Sequence, residues 1–418
     1  MFVQHASAKQ VTRRFTLLEA SFYPAFFLFE GMYAEIMHGF GYGDAFIGVA
    51  LTAIGVSCFI MQPIMGYIAD KTLNYRAIFI VTLGVAAVLF PLFFKFHSSK
   101  AIVLSFSVVA LGSIKTLFSL MDSWITKMQK QGMAIDYGHL RSVGSIAYAF
   151  AAAGLSQVMM LFGMASAVPL YWALFLFMTF AIIRIPNPER MNDEKVSLRF
   201  AAGVIFHNKN YLALIICGFL VALSNSSMLS FYARFISELG GSVGVIGIGY
   251  FLMAFFEFFI VKNFTKIADK VGTDRILAIG MIGMGVKALA FSLCTSVTMA
   301  LIITPIMQMI SYALLIPGIV RYISEQIPRE FLASALIMYE ASCLSLAQII
   351  GSTFFGAVAE ASSVRTMFAI FSIPALIGGV GFALYWHISK KREMLVAGST
   401  EQGSAIDIKA AEIPHSTD

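Results

Sequence analysis

The chain has 418 residues, of which 59% are hydrophobic and 12% charged, with a mean hydropathy of +0.81. Soluble domains run nearer half apolar and a quarter charged, so no water-soluble core of this length hides so much apolar surface, and a lipid bilayer is the solvent that fits. A net charge of +6 and a pI of about 9.0 do not mark a nucleic-acid binder, because the basic residues are scattered between apolar blocks and form no Lys/Arg stripe with interleaved aromatics.

A spanning helix needs roughly 20 mostly apolar residues. Segments 15–37, 45–68, 76–96, 101–126, 140–163, 167–186, 210–233, 245–265, 275–295, 298–320, 333–357 and 364–388 meet that condition. The expected fold is therefore an all-α integral membrane protein with twelve transmembrane helices. Residues 1–14 are polar and basic, and no small-residue cleavage site follows a short apolar core, so the first segment is expected to stay on the chain. The polar connection 187–209 falls mid-chain and divides a six-helix bundle at 15–186 from a second at 210–388, with a disordered tail at 389–418. Cys58, Cys217, Cys294 and Cys343 each lie inside an apolar block, without metal-ligand or disulfide spacing, and read as small buried hydrophobes.

Lys/Arg asymmetry sets orientation. With both termini cytoplasmic, the outer loops hold Lys95, Lys100, Arg234 and Arg365, Lys115 and Lys287 lie inside segments, and the remaining 23 of the 29 fall on or near the cytoplasmic side. An internal repeat supports the two halves. Gly66-Tyr-Ile-Ala-Asp70-Lys71 runs on to Arg76, and Lys266-Ile-Ala-Asp269-Lys270 runs on to Arg275, so Ile-Ala-Asp-Lys recurs 199 residues apart at the same place in each half. Asp70 and Asp269 end their helices beside cations, an arrangement that either latches one conformation or simply anchors a charged turn.

The turn around Asp70 resembles the Gly-x-x-x-Asp-Arg signature of the major facilitator superfamily, with Lys71 in place of the usual arginine. Gln62-Pro63, Gly66, Asp70-Lys71 and Arg76, then Asp122-Ser-Trp-Ile-Thr-Lys127, then Tyr137-Gly138-His-Leu-Arg141-Ser-Val-Gly144-Ser145 and Tyr148 narrow the resemblance to the lactose permease group of oligosaccharide:proton symporters. The resemblance covers most of the chain and is strongest in segments 2 to 5. It implies the major facilitator fold of two pseudo-symmetric six-helix bundles, a bacterial inner membrane location, a solute site between the halves, and gating residues at Gly66, Asp70, Lys71, Arg76, Asp269, Lys270 and Arg275.

Charges inside hydrocarbon need a reason. Asp122 and Arg141 are the leading pair: consecutive antiparallel segments bring them together, and a guanidinium fork with a carboxylate suits vicinal sugar hydroxyls. The resemblance places them at the acid and arginine that bind a galactosyl ring, with a shorter acid here; a buried salt bridge joining segments 4 and 5 is the plainer reading. Tyr148 lies two turns after Arg141 on the same face, where its ring either stacks on a pyranose or packs against a helix. Lys115, two turns before Asp122, either meets an anionic solute or pairs with Glu30 or Asp122. Glu30 sits mid-segment and, like Glu257 and Glu340, is a candidate to load and release a proton. Lys287 occupies the place of the family's buried arginine and faces Glu257 or Glu340. Glu19 and Glu35 fall near the ends of the first segment, where a solvated carboxylate needs no partner.

The largest departure from the family is in segment 10, where its proton-coupling Lys, His and Glu fall at Pro305, Gln308 and Ser311. Its other buried charges fall at Asn225, Met228 and near Leu346. Both members of each ion pair are gone together, which avoids a stranded charge. The function expected is uptake of a sugar or small glycoside with a proton by alternating access, in a monomeric carrier whose partners are the solute, the proton and the bilayer, with no cofactor and no metal. The alternatives are a carrier for a nucleoside, an anionic sugar derivative or a drug, without proton coupling. A non-transporting sensor or an intramembrane enzyme lacks support, since no nucleophile–base constellation is present.

Overall fold

The computed structural model describes residues 7–189, 203, 207–328 and 331–411. Most of the connection drawn from the sequence at 187–209 lies outside them. All twelve apolar segments are helical, and among the described residues there is no strand. Eleven are each long and apolar enough to cross a bilayer. The first is broken: α1, Ala8–Phe26, passes through a π-turn at Phe27–Gly31 and resumes as Tyr33–Gly39. It carries Glu19, Glu30 and Glu35, which lower its hydropathy. The others are α2 (Asp44–Thr72), α3 (Tyr75–Lys95), α4 (Lys100–Lys130), α5 (Tyr137–Phe162), α6 (Met164–Arg184), α7 (Lys209–Glu238), α8 (Val243–Val271), α9 (Thr273–Ser292), α10 (Val297–Gln326) and α11 (Ser334–Ala361). The last, α12, runs Val364–Ala411 and so extends beyond the boundary at residue 388, through much of the stretch read from sequence as tail.

Polar residues at the entries explain where helices begin. Ser7 and Gln10 form a reciprocal capping box on α1, and Asn74, Ser99, Asp136, Asn208 and Ser296 each accept a backbone N–H of the first turn of α3, α4, α5, α7 and α10. Three helices carry π-turns, at Phe27–Gly31, Ser107–Leu111 and Glu340–Ser345. In α10 the ladder breaks at Ser311 (φ −114°, ψ −95°) between Pro305 and Pro317.

The repeat seen in the sequence has a matching geometry. α2 ends at Leu73 (φ 54°) and α8 at Gly272 (φ 94°), each donating its N–H to the carbonyl four residues back, Ala69 and Ala268 respectively, at 2.8 Å. Asp70 then pairs with Lys127 on α4, and Asp269 with Arg321 on the equivalent α10 at 2.8 Å. Each pair is made inside its own half, tying α2 to α4 and α8 to α10. Lys71 and Lys270 are exposed, and Arg275 lies over the Trp386 ring at 5.7 Å. Arg76 donates from its backbone N–H to Asn187 and from its guanidinium to the Ile183 carbonyl.

The halves meet toward the end opposite the N-terminus, here the far end. A Cβ on Gly48 of α2 would collide with the Ser352 carbonyl of α11, and one on Gly247 of α8 would collide with the Ala152 carbonyl of α5, so both seams are in backbone contact that only glycine allows. The Thr52 and Thr353 hydroxyls are 2.8 Å apart across the first seam. Arg234, read from the sequence as an outer-loop residue, is a buried part of α7. Its guanidinium reaches Asp44 at 3.0 Å and Glu35 at 3.7 Å, and Ser237 donates to Glu35 at 3.0 Å. Glu35 is therefore buried and paired across the halves, which corrects its reading as a solvated end residue. Toward the N-terminal end, the near end, Phe59, Ile60, Ile64 and Tyr67 of α2 are about half exposed or more.

The two turn positions give a direct test. A Cβ at Gly272 meets nothing within 4 Å, so Gly272→Ala should lower stability through backbone strain alone, by about 1–3 kcal/mol. Gly66→Ala, on a regular stretch of α2 with equally open surroundings, should leave stability unchanged or raise it by about 0.5–1 kcal/mol. Thermal unfolding in detergent measures both.

Candidate functional site

Between the halves, ionisable side chains collect into three groups. The first is built by α1, α4 and α5. Asp136 caps α5 and so fixes the start of a stripe, Tyr137, Arg141, Gly144 and Tyr148, spaced to lie on one face. Tyr137 donates to Asp122 Oδ1 at 3.0 Å. Arg141 lies over the Tyr23 ring at 5.8 Å, and its Nη1 is buried without a hydrogen-bond partner. Asp122 and Arg141 are within electrostatic reach, but no ion pair joins them: the salt bridge between α4 and α5 weighed from the sequence is absent, because Tyr137 takes the carboxylate. Glu340, in the π-turn of α11, is in electrostatic reach of Asp122 and Arg141 from the other half.

Glu19 belongs to this group and was misplaced by the sequence reading. It is fully buried, and neither carboxylate oxygen has a partner. It packs beside Gly144, where a Cβ would come 2.9 Å from Glu19 Oε2. A signal was present in the sequence: Thr12, Thr16, Glu19 and Tyr23 follow i, i+4, i+7, i+11 spacing, one polar stripe along α1. A cavity of about 510 Å³ opens below it at the near end, lined by Lys9, Thr12, Arg13, Thr16, Asp136 and His139, among others.

The second group crosses the halves. Lys115 on α4 pairs with Glu30, in the π-turn of the first segment, at 2.8 Å, and donates to Gln348 Oε1 on α11 at 3.3 Å. Of the partners considered for Lys115, the structure selects Glu30 and not Asp122. The third group lies in the C-terminal half. Gln308 donates to Glu257 Oε2 at 2.8 Å, and Lys287 donates to Gln308 Oε1. Lys287 is buried and meets Glu257 through the amide between them. Gln308, noted in the sequence only as a loss relative to the family, is the bridge of this group. Tyr148 completes the floor: its ring packs edge-on to Phe27 at 5.6 Å and to Tyr250 at 6.3 Å, and Tyr250 donates to the Gly31 carbonyl at 3.2 Å.

Lys115 and Lys287 each have an acceptor already, whereas in the first group the Tyr137 hydroxyl is taken by Asp122 and Arg141 Nη1 is a buried donor without an acceptor. Among the described residues no cluster of His, Cys, Asp and Glu is arranged to hold a metal ion.

Comparison with known proteins gives a family and a fold. The model of the MFS_1 like family matches residues 28–370. An uncharacterized transporter, YwbF, of Bacillus subtilis (strain 168) is 23% identical over 349 residues, covering 83% of this chain and 86% of that one. A maltose permease of Geobacillus stearothermophilus is 22% identical over 320 residues, covering 76% and 79%. The crystal structure of the nucleoside transporter NupG, in a mutant form, superposes with a TM-score of 0.76 at 14% identity, covering 90% of this chain and 99% of that one. A bacterial homolog of the lysosomal transporter Spinster, inward-facing and unoccupied, superposes with a TM-score of 0.71 at 15% identity, covering 91% and 97%.

The bridged charges of the third group yield a prediction. Lys287→Met leaves the half-buried Glu257 beside a neutral amide with no cation, a loss of about 1–3 kcal/mol. Adding Glu257→Gln should restore most of that stability, because the double variant carries no uncompensated charge. Melting midpoints of the wild type, both single variants and the double variant form the required cycle.

Proposed function

The chain belongs to the MFS_1 like family and is a multi-pass membrane transporter, and from that premise we propose that it takes up a sugar or small glycoside together with a proton. The observation that carries this reading is the cluster of Asp122, Tyr137 and Arg141 on α4 and α5, with Glu340 of α11 in electrostatic reach of it from the other half. A guanidinium with a free donor and a carboxylate held by a phenol match the donor and acceptor pairs of vicinal hydroxyls. Tyr148 supplies the apolar face below them. The resemblance to lactose permeases at these positions and the maltose permease among the relatives support the same class. Nucleoside uptake is the second reading; the structural likeness to a nucleoside transporter, at 14% identity, speaks for the fold alone. An anionic solute is disfavoured by the Glu30 partner of Lys115.

In this reading both termini are cytoplasmic, in a bacterial inner membrane. Lys95, Lys100, Arg234 and Arg365 lie at the far end, Arg234 as a buried part of α7, and most of the remaining Lys and Arg lie toward the near end. The far-end seams and the Arg234–Asp44–Glu35 cluster then close the outer side, and the solute space opens inward. Asp70–Lys127 and Asp269–Arg321 stiffen the inner gate of each half, with Gly66, Lys71, Arg76, Lys270 and Arg275 around them. Glu30, Glu257, Glu340 and Lys287 are the coupling candidates carried over from the sequence.

Proteoliposomes loaded with buffer and offered labelled maltose, lactose, uridine or adenosine test the proposal. Expected is accumulation of a sugar under an inward proton gradient, collapsed by a protonophore. Arg141→Lys and Asp122→Asn should each cut uptake about tenfold to a hundredfold, the worth of a hydrogen bond to a charged group. Uptake of a nucleoside and no sugar, or accumulation indifferent to the protonophore, would sink the corresponding half.

A further inference from the structure

Glu19 is the fully buried carboxylate of the first group, and no contact satisfies it. Both its oxygens are buried and unpartnered, and Arg141 Nη1 in the same group is likewise buried and unpartnered. A charged carboxylate and a guanidinium, each with an orphan group in an apolar interior, gain stability by closing the gap between them. Gly144 is one turn beyond Arg141, and Glu19 sits against it, so a short side-chain movement suffices. The two groups stay apart as expected when Glu19 holds a proton and makes no electrostatic claim on the arginine.

Asp122 from α4, Arg141 and Tyr137 from α5, and Tyr23 from α1 itself are the titratable groups within electrostatic reach of Glu19. The titratable groups of α6 are engaged elsewhere: Tyr171 donates to the Leu83 carbonyl and Arg184 to the Phe180 carbonyl. Glu19 is wholly buried, with the Tyr23 ring and Gly144 beside it, so a solute-sized group has no access to its carboxyl. The near-end cavity, lined by Thr12 and Thr16 on the same stripe of α1 and by His139 on α5, brings water to within one helical turn of the carboxyl.

We propose that Glu19 is a proton-carrying carboxyl of the N-terminal half, exchanging its proton with the near-end cavity past Thr16 and Thr12, and that its ionisation captures Arg141. In the step, the O–H bond of Glu19 breaks, the proton passes to cavity water, and the carboxylate left behind accepts from Arg141 Nη1. The arginine is thereby withdrawn from the solute. Binding of a solute to Arg141 and release of the proton from Glu19 become mutually exclusive. This rests on the proton-coupled reading above and assigns it a residue outside the coupling candidates named there.

Infrared difference spectroscopy of the full chain in lipid, titrated without any solute, tests the assignment. The wild type should show a protonated-carboxyl C=O band that disappears as pH rises. Glu19→Gln should lack that band, while Glu257→Gln and Glu340→Gln should retain it. Gly144→Ala presses a methyl against Glu19 Oε2 and Tyr23 without removing the carboxyl. It should move the band or its titration midpoint, and it provides the test if Glu19→Gln does not fold. A wild-type spectrum without the band, or a band unaltered in both variants, overturns the proposal. With maltose as the transport probe, Glu19→Gln should abolish uphill accumulation while maltose counterflow persists; loss of both to the same degree also overturns it. The infrared arm needs no solute, so an intact Glu19 signal with no maltose uptake rejects the sugar and supports the carboxyl.

Discussion

A charge inside hydrocarbon must find a partner or be neutralised, and the interior of this bundle is organised by that constraint. Lys115 is held by Glu30 and Gln348, Lys287 reaches Glu257 through Gln308, and Arg234 is shared by Asp44 and Glu35. What remains over is the group around Arg141, where three carboxylates, Glu19, Asp122 and Glu340, surround a single guanidinium. Incomplete pairing is costly in an interior, and here it falls on Arg141 Nη1 and on both oxygens of Glu19.

The two ends of the molecule use different physics. At the far end, glycine-lined seams bring backbones of α2 and α11, and of α5 and α8, into direct contact, and dispersion with short polar links holds them. In lipid there is little hydrophobic gain from joining helices, so such close approach supplies the association energy. The buried Arg234 cluster adds a charged lock at the same end. At the near end the ion pairs Asp70–Lys127 and Asp269–Arg321 act inside each half. Each half is thus cross-linked within itself at this end.

The departure from the lactose permease pattern in α10 has a structural counterpart. Gln308 stands where the family has an ionisable side chain, and it spans Lys287 and Glu257 with its two ends oriented by their charges. A neutral bridge keeps both ions solvated in a dry interior without adding a titrating group.

The helices, most of their ends to within a few residues though not the start of the first or the end of the last, the repeat about Asp70 and Asp269, and the family were legible in the sequence, because hydropathy, capping and turn signatures are local properties of the chain. Asp122, Arg141 and Lys115 were legible as candidates on the same ground, since a charge within an apolar run stands out. Pairing was not legible. Lys115 finds Glu30 85 residues away and Gln348 233 residues away, and Arg234 finds Asp44 at a separation of 190. Tyr137 intervenes between Asp122 and Arg141, which no spacing argument reveals. Glu19 and Glu35 looked like surface carboxylates because distance from a segment end is a poor measure of depth in a broken first helix. Which charges exist and roughly how deep they lie was a matter of sequence. Which of them were satisfied, and that Glu19 and Arg141 were left near each other unpaired, was decided only when twelve helices were packed, since burial and partnership are properties of neighbours and not of the chain.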